Sequence, residues 1–233
     1  VSERLLPSGR VEYLPMTEYA GGESGEHRAK GILSGENHTI EVRRKLVDGT
    51  WFKTSVPSTH KPAFEIAEGT RFAVPGDLPA LWKDTTDLPD HYVIIGGGKT
   101  AMDTGVWLLE AGVPADKIGW VRPRDSWMFN RKLLQPAYHH IDRLVQFQVD
   151  LVECANSSES GDGMFAKLGE RGTMLRIDEN GTPKMVHFAV ISEAEVALLR
   201  QITRVHRGKR VTALGPDAMI FGDERAQMPE GTL

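Results

Sequence analysis

The chain has 233 residues, 40% of them hydrophobic and 26% charged, with a formal net charge of −4; these are the proportions of an ordinary globular protein of one large or two small domains. Lys and Arg form no long run, which argues against nucleic acid or an anionic membrane surface as a partner. No apolar stretch approaches the ~20 residues of a membrane span, the start carries no signal-peptide pattern, and the single cysteine permits no internal disulfide. A cytoplasmic setting is therefore expected, with Cys154 packed rather than catalytic.

Residues 1–88 read as a β-rich segment. Pro7-Ser8-Gly9 makes a first turn, and Arg10-Val11-Glu12-Tyr13-Leu14 alternates like a strand before Pro15. Gly21 to Glu26 reads as a flexible turn. His27 to Leu33 and His38 to Leu46 are candidate strands around the hairpin chemistry of Ser34-Gly35-Glu36-Asn37. A further short strand is expected at Thr50-Trp51-Phe52-Lys53-Thr54, then a proline-bracketed loop over 56–62. The run of short strands suggests a meander or an inserted antiparallel sheet.

Residues 89–233 read as α/β. Tyr92-Val93-Ile94-Ile95 is an apolar strand running into Gly96-Gly97-Gly98. From Ala101 the pattern turns helical, with Gly105, Leu108 and Gly112 on one face, and stops at Gly112 and Pro114. Ile118 to Val121 is a second strand. A loop is expected over 122–135, then an amphipathic helix from Ala137 to Glu153 with apolar positions at Ile141, Leu144, Val145, Val149 and Val152. Ser192-Glu193-Ala194-Glu195 opens another helix with a capping-box pattern. Short strands at 202–205, 210–214 and 218–221 follow. The expected fold class is thus α/β, a Rossmann-like nucleotide-binding domain with a parallel sheet, preceded by the β-rich segment. The opening at Val1 and the turn-like Met228-Pro229-Glu230-Gly231 give the chain the look of a central fragment.

The junction Gly96-x-Gly98-x-x-Ala101 is the most informative stretch. A glycine at 96 permits a tight turn, one at 98 lets backbone approach a pyrophosphate, and Ala101 lets helix pack close on strand. The N–H groups of the first helical turn then face the phosphates. Gly98-Lys99-Thr100 also resembles the end of a P-loop, but that motif needs glycine where Val93 stands. An ordinary strand-to-helix turn that binds nothing is the remaining reading. Candidate cofactor-binding residues are Gly96, Gly97, Gly98, Lys99, Thr100, Ala101 and Asp103, with Arg122 and Arg124 at the end of the second strand. Two arginines there favour NADP(H) over NAD(H), because guanidinium groups can fork onto the extra phosphate; solvated loop arginines are the alternative. Asp125 falls past both arginines. Trp127, Asn130 and Arg131 form a second candidate region at the same edge. His139 and His140 are adjacent, so one helix face cannot present both to a metal, and no metal site or catalytic residue is assigned.

With these residues in hand, the chain resembles the two-dinucleotide-binding-domain flavoproteins, the group of the flavin monooxygenases and pyridine nucleotide-disulfide reductase relatives. The likeness is carried by Tyr92 to Asp103, close to that family's G-x-G-x-[ST]-[AG]-x-[DE]. Val121-Arg122-Pro123-Arg124-Asp125-Ser126-Trp127 and Leu6 to Pro15 resemble an uncharacterised bacterial subgroup. The resemblance implies an oxidoreductase in which NADPH delivers hydride to FAD, with residues 1–88 belonging to an incomplete flavin-binding domain. The FAD fingerprint itself is absent, and with Cys154 alone the disulfide-reductase branch is disfavoured. A non-catalytic dinucleotide-binding sensor or assembly module is the alternative. The small-molecule substrate and the oligomeric state are not legible.

Overall fold

The computed structural model describes residues 5–49, 60–83, 85–135 and 137–233. The strand expected over 50–54 and most of the loop over 56–62 lie outside the described residues. In chain order the elements are β1 (Thr17–Glu23), β2 (Glu26–Gly31), β3 (Asn37–Glu41), β4 (Glu65–Ile66), α1 (Leu78–Leu81), β5 (Tyr92–Ile95), α2 (Lys99–Glu110), β6 (Ile118–Val121), β7 (Trp127–Asn130), α3 (Ile141–Asn156), α4 (Gly161–Glu170), β8 (Met174–Leu175), β9 (Val186–Ile191), α5 (Glu193–Leu199), β10 (Arg204–His206), β11 (Ala213–Leu214), β12 (Ala218–Phe221) and β13 (Glu224–Gln227).

The chain divides into two compact units, Val1–Thr54 and Ser55–Leu233. The first holds the antiparallel sheet β1-β2-β3. Its β1–β2 hairpin turns on Ser24 and Gly25, with φ of 54° and 89°, the positive-φ pair that matches the twist of paired strands. Arg10 to Leu14, despite their alternation, form no strand; β1 starts at Thr17 and takes in Gly21 and Gly22 at an irregular register.

The second unit corrects the expected fold class. It is not a Rossmann-like domain with a parallel sheet flanked by helices. Among the described residues only β10, β6 and β5, in that order, form an all-parallel sheet. The remaining strands of this unit build two other small mixed sheets, β13-β12-β11-β4 and β8-β7-β9. The reason lies in what covers each face. Strand side chains alternate between faces, so Tyr92, Ile94, Ile118 and Trp120 point into a core with Met102 and Leu108 of α2 and Val196 and Leu199 of α5. Val93, Ile95 and Val121 point the other way, against Val211, Leu214, Met219 and Phe221. One face is therefore packed by helices and the other by a β-meander.

After β6 the chain leaves this sheet and returns to it at β10. Residues expected to be loop form β7, which pairs with β8 and β9. Helices α3 and α4 cover that separate sheet, with Trp127, Cys154, Leu168 and Met174 in a core of their own. Helix α3 also presents an unexpected face. Phe147, Asp150 and Cys154 are buried, while Ile141, Val145, Val149 and Val152 are exposed. Beside β5, Val93 N–H donates to Leu233 O at 2.8 Å and Leu233 N–H to His91 O at 3.0 Å. Among the described residues no helix is long and apolar enough to cross a membrane.

Candidate dinucleotide-binding site

The glycine turn joins β5 to α2, and its three glycines do different things. Gly96 has a φ of 131°, a conformation that side-chain-bearing residues rarely adopt. Gly97 is closely packed: a Cβ there would lie 3.2 Å from Arg124 O and 3.3 Å from Arg122 Cγ. Gly98 caps the helix in extended backbone (φ −87°, ψ 178°) with no side-chain hydrogen bond to the first turn, and nothing lies within 4 Å of where its Cβ would be. Gly98, Thr100 and Ala101 border a cavity, so the start of α2 faces open space. Such an end carries partial positive charge.

Ala101 is buried, and its Cβ lies 3.8 Å from the Cβ position of Gly96, which brings the helix start close to the strand end. Trp120 on β6 fixes the turn from below, donating its Nε1–H to Gly96 O at 2.7 Å.

Two regions flank the turn. On one side, a cavity of about 720 Å³ runs along β5 and α2. Gly96, Gly98 and Thr100 border it at the turn, and Phe64, Phe72 and Leu78 are among its apolar walls. On the other side is the end of β6. Arg122 is 2% exposed and its guanidinium sits 4.7 Å from the Trp120 ring centroid. Its Nε is 2.7 Å from Asp125 Oδ1, and its Nη1 meets no acceptor among the described residues. Burial pushes its pKa below the ordinary guanidinium value, and the neighbouring Asp125 carboxylate only partly offsets this. Arg124 is exposed.

The remaining candidates are placed differently. Lys99 turns away from the glycine loop and pairs with Asp103 and, at 3.5 Å, with Glu195 Oε1. Asp103 is half-exposed and engaged by that lysine. Glu195 also receives Arg131 Nη1 at 3.1 Å and completes the capping box of α5 with Ser192. Burial alone would raise the Glu195 pKa, but the hydrogen bonds with Ser192, together with Lys99 and Arg131, outweigh it and hold the carboxyl below its usual range. This network locks the start of α2 to the start of α5.

Trp127 and Asn130 are buried; Asn130 donates to Gly172 O at 2.9 Å and to Glu193 Oε1 at 3.0 Å. With Arg131 paired to Glu195, the residues of the second candidate region are engaged within the fold. His139 and His140 lie with ring centroids 4.2 Å apart on the surface. Among the described residues no group of three or more His, Cys, Asp or Glu side chains is placed to hold a metal ion.

Sequence reasoning did not single out Trp120 or Arg207, and it set Asp125 aside as lying past both arginines. Arg207 Nε lies 3.2 Å from Asp125 Oδ2, and its Nη2 lies 3.1 Å from Asp178 Oδ2. The available signal was positional, since Arg207 follows a strand running parallel to β6 and reaches the same sheet edge.

No family model matches the chain. It is similar to proteins of Mycobacterium bovis and Mycobacterium tuberculosis described only as uncharacterized, at 35% identity over 221 residues, or 95% of this chain. The chain spans 39% of the length of these curated relatives.

Proposed function

We propose that the chain is the NADPH-binding portion of a flavin-dependent oxidoreductase, with the coenzyme's pyrophosphate lying over the glycine turn. The observation that carries this reading is the open, uncapped helix start at Gly98, set between a cationic corner and an apolar cavity. A dinucleotide has that same division: an anionic centre, an adenosine end that bears the extra phosphate in NADP(H), and a planar nicotinamide end. The pyrophosphate would accept from the first-turn N–H groups of α2. The adenosine end would lie toward Arg122 and Arg124, and the nicotinamide toward the cavity, whose apolar walls suit a ring.

The coenzyme supplies hydride; these residues bind and orient it. Lys99 and Asp103 serve by fixing α2 against α5 rather than by touching phosphate. A flavin is implied by the family resemblance alone. The sequence offers no second glycine-rich strand–helix turn to hold one, so no residue here is assigned to FAD.

Amide chemical-shift mapping tests the reading. Titration with NADPH should move Gly96, Gly98, Lys99 and Thr100 together with Arg124. Shifts scattered away from the turn, or none, would return it to an ordinary strand-to-helix connection.

A further inference from the structure

We propose that Arg207, at the end of β10, is a specificity-determining residue that receives the adenosine 2′-phosphate together with Arg124. The inference rests on the NADPH-binding reading and extends it to a residue on a different strand. Two backbone hydrogen bonds stitch the ends of β6 and β10 together: Arg122 N–H to His206 O at 2.9 Å, and Gly208 N–H to Pro123 O at 3.0 Å. Arg207 lies between these anchors, and its side chain reaches across to Asp125. Arg124 is flanked in sequence by Pro123 and Asp125, the two residues that bind this 207–208 corner.

Charge and commitment decide the ligand. A carboxylate at the end of the second strand reads ribose hydroxyls when it is free to accept them. Asp125 is not free: Oδ1 is 2.7 Å from Arg122 Nε and Oδ2 is 3.2 Å from Arg207 Nε. Arg122 and Arg207 pair with the two carboxylates of this corner, Asp125 and Asp178, and the exposed Arg124, in the same turn, is the third guanidinium of the segment. Arg207 is 45% exposed at its side chain, with Nε held by Asp125 and Nη2 by Asp178, so a phosphate would meet it at the remaining Nη1 edge. Asp125 acts as a positioning residue, holding the guanidinium of Arg207 by its Nε edge.

The test is the pair of dissociation constants for NADPH and NADH, measured on the wild-type chain, Arg207→Ala and Lys209→Ala. Lys209 is a nearby surface cation paired with Glu224 and serves as the control for general charge loss. Arg207→Ala should weaken NADPH about tenfold or more, the usual scale of one charge-assisted contact, and leave NADH within about twofold; Lys209→Ala should change neither ratio. Equal weakening of both coenzymes by Arg207→Ala, or an unchanged NADPH constant, overturns the role of Arg207 while the binding site stands. Failure of the wild-type chain to bind either coenzyme overturns the underlying reading as well.

Discussion

The indole of Trp120 holds the carbonyl of Gly96 through a 2.7 Å hydrogen bond, which ties the second strand of the parallel sheet to the turn that ends the first. Trp120 is fully buried. Trp120→Phe should cost about 0.5–1.5 kcal/mol for the lost hydrogen bond, with a further loss from the smaller ring. Urea unfolding measures it. A midpoint equal to wild type would mean that the turn does not depend on this bond.

Gly105 of α2 packs against Leu199 of α5. A Cβ there would sit 2.8 Å from Leu199 Cδ2 and 3.4 Å from both Ile202 Cδ1 and Ile94 Cδ1. Gly105→Val adds two more methyl groups to this packed contact and should cost about 1–3 kcal/mol by overpacking, more than the helix-propensity gain of a few tenths returns. Thermal unfolding that is unchanged or improved would contradict the packing described.

The buried carboxylate of Asp150 accepts from Gln146 Nε2 at 2.9 Å, Arg171 Nη1 at 3.0 Å and Thr173 Oγ1 at 2.5 Å. Burial raises its pKa, but these hydrogen bonds outweigh burial and set it below the ordinary 3.8. The unfolded chain therefore takes up a proton at this group before the folded one does. The stability it contributes is present above the unfolded value and is lost as pH falls through the folded one. Asp150→Asn should destabilise by about 1–3 kcal/mol at neutral pH, and the gap should narrow as pH drops below 3.8. A gap independent of pH would show that the charge is irrelevant.

The strand–turn–helix from Tyr92 to Glu110 was legible because its signals are local: four apolar residues, glycines at a fixed spacing and one helical face. The wider fold was not, because it depends on what packs where. The run from Val121 to Trp127 carries no mark of the chain leaving one sheet to start another at β7, and the expected parallel α/β domain fails at that point. The apolar pattern of α3 located the helix and misjudged its inner face, since Asp150 turns inward to meet Thr173 while Val145 and Val152 stay exposed.

The candidate site was legible to the same extent. Its glycines and Arg124 could be read from spacing, whereas the engagement of Lys99 by Glu195 spans 96 residues of sequence. The grip of Asp125 on Arg207 spans 82. Contacts that distant have no local signature.

The central claim, that a dinucleotide lies over the glycine turn, rests on Gly98. Its extended backbone accepts any side chain and its Cβ position meets nothing within 4 Å, so Gly98→Val can block the approach to the helix start without disturbing the fold. Calorimetric titration of NADPH into wild type and Gly98→Val, with the melting temperature of each recorded, tests the claim most directly. Binding by wild type and none by the variant, at matching melting temperatures, is the result expected; equal affinity in the two, or no binding by wild type, would contradict it.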